Sequence, residues 1–187
     1  MALEQEYRSA RNQIGEMALR LFAEKGYEQV SLADIAQAAA VPVATLEGLI
    51  LNKEILLLGP AADGPIWILD RFASAPPSAD LMGSLTGVFE ARIALYQEDL
   101  MQLWRSAALT APPELQQLVA LGVIERAALV AMVAERMGVD SEVDPRPSVM
   151  VTDVIGAVQE AYEIWLHGKS DRPLLVLLKE SFSRIIH

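Results

Sequence analysis

Residues 31–53 read SLADIAQAAAVPVATLEGLILNK, from Ser31 to Lys53, and the rest of the chain takes its place around them. Ser31 stands where a helix begins. Asp34, three residues on, is set to serve in place of the Glu or Gln of a capping box. Leu32, Ile35, Ala36 and Ala39 recur at helical spacing, which predicts a short helix with one apolar face. Val41-Pro42 breaks it. A second short helix turns Leu46, and Leu49 or Ile50, inward, and the unit leaves through Asn52-Lys53-Glu54. Two short helices joined by a tight turn form the helix-turn-helix unit, whose second helix enters the major groove of DNA.

Upstream, one helix is predicted over about 4–25, with Ile14, Met17, Ala18, Leu21 and Phe22 inward and Gly26 closing it in the left-handed conformation. Taken with LRLFAEKGYEQVSLADIA (19–36), the stretch resembles the N-terminal domain of TetR-family transcriptional regulators. The likeness rests on Ala18, Leu21, Phe22, Gly26, Tyr27, Ser31, Ile35, Ala36, Ala39, Val41, Thr45, Leu46, Lys53 and Glu54. It implies an all-α fold, with a three-helix head at 1–53 and a larger ligand-binding and dimerisation body at 54–187. The family usually has Gly at 40, polar residues at 42 and 43, a small residue at 44, an aromatic at 47, a polar or basic residue at 48, His or similar at 49 and Phe at 50. This chain has Ala40, Pro42, Val43, Ala44, Glu47, Gly48, Leu49 and Ile50. The scaffold is kept and the reading surface replaced.

Composition agrees with an acidic, core-rich protein. Hydrophobic residues make up 52% of the 187, charged residues 21%, and mean hydropathy is +0.28, so either the core is large or apolar surface is buried against a partner. No uninterrupted run of about 18 apolar residues is present, which argues against a membrane span. The polar start, MALEQEYRSARNQ, is unlike a secretory signal. The absence of cysteine excludes disulfide and thiolate chemistry and fits a cytoplasmic protein. Net charge is −10. A protein that grips DNA needs Lys and Arg to neutralise phosphates, yet residues 1–54 carry five cations (Arg8, Arg11, Arg20, Lys25, Lys53) against eight carboxylates.

Beyond Lys53 the resemblance implies one long fourth helix. Gly59-Pro60 and Gly64-Pro65 interrupt it, since an interior proline costs about 3 kcal/mol, and a fresh helix is expected from Pro65 to Phe72. Ala75-Pro76-Pro77-Ser78 is a linker. Helices follow over 79–97, 98–109, 113–137, 147–167 and 172–186, with a loop at 138–145. The helix 147–167 is apolar nearly all round in its first half, which predicts burial on two sides.

The residues offering chemistry are few. In the reading helix Val43, Ala44, Leu49 and Ile50 provide only apolar contact and Glu47 has the wrong sign for phosphate, so direct readout by hydrogen-bond donors is missing. If DNA is held at all, Arg8, Arg11, Thr45 and Lys53 are the candidates. In the body, Trp67, Phe89, Tyr96, Trp104, Tyr162 and Trp165 are aromatic core by default, and the resemblance implies an apolar effector pocket that some of them line. Arg92 falls on the Leu85–Phe89–Tyr96 stripe, and a buried guanidinium calls for an anion. That anion is an internal carboxylate (Asp153, Glu125, Glu160 or Glu163) or one carried by a ligand. No Ser/His/Asp pattern, metal-ligand spacing or phosphate loop is present, and His167 beside Gly168 reads as a cation at a helix C-terminus. Asp140, Glu142 and Asp144 lack the Gly and distal Glu of a calcium loop. No enzyme activity, metal or cofactor is expected.

Three readings compete. The first is a TetR-like homodimer, joined through 147–167 and 172–186, that senses a small apolar or aromatic molecule while its own DNA binding is weak or lost, as in an accessory or decoy regulator. The second is a non-regulatory protein that binds or transforms a metabolite on the same scaffold. The third is an ordinary one-component repressor.

Overall fold

The computed structural model describes residues 2–50, 53–57, 64–76, 79–116, 121–169 and 171–185, with side chains from Gln13 onward except at Leu49 and Gly64. Among these residues there are ten α-helices and no strand. They are α1 (Ala2–Lys25), α2 (Leu32–Ala38), α3 (Val43–Leu49), α4 (Lys53–Leu57), α5 (Gly64–Ala73), α6 (Leu81–Ala94), α7 (Glu98–Ala108), α8 (Val123–Met137), α9 (Arg146–His167) and α10 (Leu174–Ser183). The chain forms two compact units, Met1–Ala62 with Gln97–Gln117, and Asp63–Tyr96 with Leu118–His187.

In the first unit α1 packs against α2, α4 and α7 together, so its buried face is wider than a single stripe. Ile14, Ala18, Leu19 and Phe22 are buried, while Met17 and Leu21, expected inward, are only half-buried. Gly26 ends α1 at φ 88° and ψ 142°, outside the left-handed helical well and in a region that glycine alone enters readily. Ser31 caps α2 as expected. Its hydroxyl accepts the Asp34 N–H at 3.2 Å, and the Asp34 carboxylate accepts the Ser31 N–H at 2.8 Å. That hydrogen bonding from Ser31 holds the Asp34 carboxyl below its usual range.

The turn after α2 closes as a Schellman motif. Val41 N–H reaches Ala36 O at 3.0 Å and Ala40 N–H reaches Gln37 O at 3.2 Å. Its left-handed position is filled by Ala40, at φ 54°. α3 then packs through Leu46 and Ile50, both buried. Ile50 therefore belongs to the core and not to the reading surface, because it leaves the helix with extended backbone (φ −137°, ψ 122°) that turns its side chain back. α7 is fastened into the same unit at its middle and just past its C-terminal end. The Trp104 indole N–H donates to Leu57 O at 2.9 Å, and Thr110 Oγ1 accepts the Tyr27 N–H at 3.0 Å.

The second unit is organised on α9, which packs against α6, α8 and α10. Val151, Val154, Ile155, Val158, Ala161, Trp165 and Leu166 form its buried side. The opposite face is mixed, with Thr152, Asp153, Gly156, Glu160 and Glu163 exposed beside Val149 and Ile164. It is less apolar than the run of valines suggests. The expected helix 113–137 also differs: Pro113–Leu115 is a short 3-10 turn, and α8 starts only after Gly122, whose extended backbone (φ −69°, ψ 175°) restarts the chain. Leu118 and Val119 lie outside the described residues. α4 ends at Leu57 and α5 opens at Gly64 with Pro65 in its first turn. The break expected at Gly59-Pro60 lies outside the described residues.

Candidate functional site

In the head, the outward side of α3 is the surface in question. Pro42, Val43, Ala44, Thr45, Glu47 and Gly48 are all exposed, Val43 by 40%, and no Lys, Arg, Asn or Gln stands among them. Thr45 keeps its hydroxyl on this surface and uses its backbone N–H on Pro42 O at 3.0 Å. Arg8 and Arg11 lie in α1, and their side chains are outside the described residues. Lys53 is engaged internally. Its ammonium donates to Tyr27 O at 2.9 Å and Val30 O at 3.1 Å and sits 4.0 Å from the centroid of the Tyr27 ring. Arg20 is paired with Glu16 at 2.6 Å. Burial first, then the charges of Glu54 and Glu28, push the Tyr27 hydroxyl up to about 12.

In the second unit, α5 and α6 bring three of the expected ligand residues together. The Arg92 guanidinium carbon lies 5.5 Å from the Trp67 ring centroid and 5.3 Å from that of Tyr96, within cation–π range of both. All three are half-buried. Phe89, one turn before Arg92, is buried. Tyr162 and Trp165 form a tilted pair on α9, with centroids 5.6 Å apart, and burial raises the Tyr162 hydroxyl above its ordinary range. Trp104 belongs to the first unit, on the carbonyl of Leu57. Of the carboxylates considered for Arg92, Asp153, Glu160 and Glu163 are exposed on α9 and Glu125 is half-buried on α8.

A second stacked guanidinium escaped the sequence reading. Arg136, in the last turn of α8, lies 5.1 Å from the Phe72 ring centroid. Its Nη2 donates to the carbonyls of Pro76 (3.2 Å) and Ala79 (3.1 Å) and reaches Ser84 Oγ at 3.5 Å. It straps the α5–α6 linker to α8. Its partners are backbone groups more than fifty positions away, and no residue pattern announces those. Among the described residues no group of three or more acidic or His side chains is placed to hold a metal, and no helix is long and apolar enough to cross a membrane.

Comparison with known proteins adds the following. Residues 79–187 match the family model described as the MftR C-terminal domain, and residues 14–46 match that of bacterial regulatory proteins of the tetR family. No protein with a curated description matches. Among solved structures the chain is similar to PfmR, a TetR family transcriptional regulator from Thermus thermophilus. Identity is 22%, with 92% of this chain and 96% of that one covered, at a TM-score of 0.54. A looser likeness is to a TetR transcriptional regulator from a Rhodococcus species, with 16% identity, 96% and 98% covered and a TM-score of 0.47. At the identity to PfmR, the likeness is one of fold.

Proposed function

Because the chain belongs to the TetR family of bacterial regulatory proteins, we propose that it is a homodimeric regulator that senses a small apolar or aromatic ligand and whose own hold on DNA is weak, an accessory or decoy type. The observation that carries this reading is the exposed side of α3, which offers Val43, Ala44, Thr45, Glu47 and Gly48 where base-reading donors are needed. Two of the five cations of the head are engaged within it, Lys53 on internal carbonyls and Arg20 on Glu16. Sequence-independent affinity comes from phosphate neutralisation, so an acidic head forfeits that contribution too. The ligand is assigned to the second unit, around Arg92, Trp67 and Tyr96. The dimer is assigned to the outward faces of α9 and α10.

The deciding experiment is a fluorescence-anisotropy titration of the purified protein with duplexes tiling its own gene and the neighbouring promoters, at physiological salt. We expect no duplex to bind more tightly than about 10⁻⁶ M, the range of non-specific contact. One sequence bound at about 10⁻⁸ to 10⁻¹¹ M, as specific regulators bind, restores the ordinary repressor and ends the accessory reading.

A further inference from the structure

Stability alone does not account for Arg136. Its Nε and Nη1 are buried and meet no hydrogen-bond partner among the described residues. The partners of Nη2 are all neutral: the carbonyls of Pro76 and Ala79 and, at 3.5 Å, the hydroxyl of Ser84. A guanidinium so placed gives up water at two donors and gains no anion in return. Replacing a buried charge by an apolar side chain of similar volume is often neutral or stabilising. Here the carbonyls left behind belong to exposed residues, Pro76 and Ala79, and return to water. What an apolar replacement does not keep is direction, because a planar fork stacked on a ring fixes angles that apolar packing leaves free.

The direction it fixes is that of α5 on α6. Near their linker, Arg136 stacks on Phe72 of α5, 5.1 Å from the ring centroid, and reaches Ser84 in the first turn of α6. Farther from the linker, Trp67 of α5 meets Arg92 and Tyr96 of α6. The two helices therefore run antiparallel, with the clamp at one end of the pair and the aromatic–cation cluster toward the other. Phe72 stands about 7.5 Å along its helix from Trp67, and Ser84 about 12 Å from Arg92. A helix moves as a body over such distances, so a roll or slide of α5 at Phe72 is carried to the Trp67 ring. Phe72 is 1% exposed, which leaves its ring no freedom to absorb that motion. We propose that Arg136 is a positioning residue for the ligand site: from α8 it sets the α5–α6 pairing that stands Trp67 against Arg92 and Tyr96. The inference deepens the reading above and rests on it in one respect, that the ligand is held at this cluster.

The test reads geometry and stability separately, on the full chain with labelled arginine. Ring currents from Trp67 and Tyr96 displace the Arg92 side-chain resonances from those of exposed arginines, and their loss in Arg92→Lys assigns them. Arg136→Met should melt within about 3 °C of the wild type and yet return the Arg92 resonances to the exposed position. Its affinity for naphthoate, measured by calorimetry, should fall about tenfold or more, since a site is sensitive to misplacement of an ångström. Arg136→Lys keeps the charge without the plane and should fall between wild type and Arg136→Met in the Arg92 shifts. Arg92 resonances that stay displaced in Arg136→Met overturn the proposal, as does an Arg136→Lys protein with the wild-type pattern. A larger fall in the melting temperature of Arg136→Met overturns it too, because Arg136 then serves the fold first. Naphthoate separates the two readings. If the wild type binds no naphthoate while Arg136→Met still releases the Arg92 resonances, the ligand reading fails and the positioning of the cluster stands. Naphthoate bound equally by wild type and Arg136→Met defeats the positioning only.

Discussion

The Lys53 ammonium stands 4.0 Å from the centroid of the Tyr27 ring while donating to the carbonyls of Tyr27 and Val30. A lysine at the exit of a helix-turn-helix looks, in sequence, like a phosphate contact, yet here its charge closes the 3-10 turn before α2. Hydrogen bonds from a charged donor contribute about 1.5–3 kcal/mol and a cation over a ring about 0.5–1 kcal/mol more. Lys53→Gln should therefore lower stability by roughly 2 kcal/mol in denaturant unfolding. Whatever residual DNA affinity exists should keep the same salt slope, because no phosphate contact is lost. A shallower slope with unchanged stability would return Lys53 to the DNA surface.

Ala40 and Gly138 sit at equivalent places, each at positive φ just past a helix, at 54° and 67°. Gly138 does so without a Cβ. Ala40 bears the left-handed penalty, about 1–2 kcal/mol, offset in part by the roughly 0.5–1 kcal/mol of unfolded-state entropy that a glycine adds. Ala40→Gly should therefore stabilise the protein slightly, raising Tm by about 1–4 °C at this chain length. A lowered Tm would mean that Ala40 contributes packing worth more than its strain.

The phenol of Tyr27 is pushed from an ordinary 10 to about 12, and burial pushes that of Tyr162 up as well. A raised folded value means the protonated form is favoured by folding. Its stabilisation is whole below about pH 10 and is lost as pH climbs toward 12. Tyr27 and Tyr162 should then ionise late, together with unfolding, in an absorbance titration at alkaline pH. Tyr27→Phe should lose one late phenolate. A Tyr27 that titrates near 10 in the folded protein would contradict its burial.

The helix-turn-helix was legible because its signals are local: the Ser31–Asp34 box closes within three residues, and Ile35, Ala36 and Leu46 keep strict helical spacing. What failed to be legible is non-local. The sequence left Leu49 or Ile50 open as the inward residue after Leu46, and the extended backbone at Ile50 buries that side chain. The internal engagement of Lys53 depends on carbonyls more than twenty positions upstream, and that of Arg136 on a linker in another part of the unit. Gly122 looks like a tolerable glycine in a long apolar helix, but its extended backbone begins α8 afresh. Trp67, Arg92 and Tyr96 were legible as aromatic-plus-cation, because two neighbouring helices suffice to assemble them.

The outward face of α9 carries Val149, Gly156 and Ile164, and that of α10 carries Val176, exposed by 41%. Two copies joined there should bury well over about 1,000 Å². Light scattering at micromolar concentration should give twice the 20.4 kDa chain mass. Gly156→Glu, on an open exposed position of α9, should yield a folded monomer by placing bulk and charge at the centre of the contact. A wild-type monomer, or a Gly156→Glu protein that stays dimeric, would move the interface elsewhere.

Arg92, held between Trp67 and Tyr96, gives the ligand hypothesis its sharpest handle. If the guanidinium serves the fold alone, as half of an internal ion pair, Arg92→Ala should cost about 3–5 kcal/mol, the usual penalty for breaking such a pair in the interior. Arg92 is only half-buried, so we expect a smaller loss, of which the two cation–π contacts supply about 1–2 kcal/mol. Its larger role should emerge with ligand. Aromatic carboxylates should raise the melting temperature of the wild type, with the rings supplying apolar area and the guanidinium a paired anion. They should leave Arg92→Ala unmoved. Arg92→Lys keeps the charge but not the planar fork, and should recover only part of the shift. Thermal melts of the three proteins, with and without benzoate- and naphthoate-type acids, read all of this at once. A drop of about 4 kcal/mol in Arg92→Ala with no ligand shift in the wild type would assign Arg92 to the fold and remove the anion from the proposed ligand.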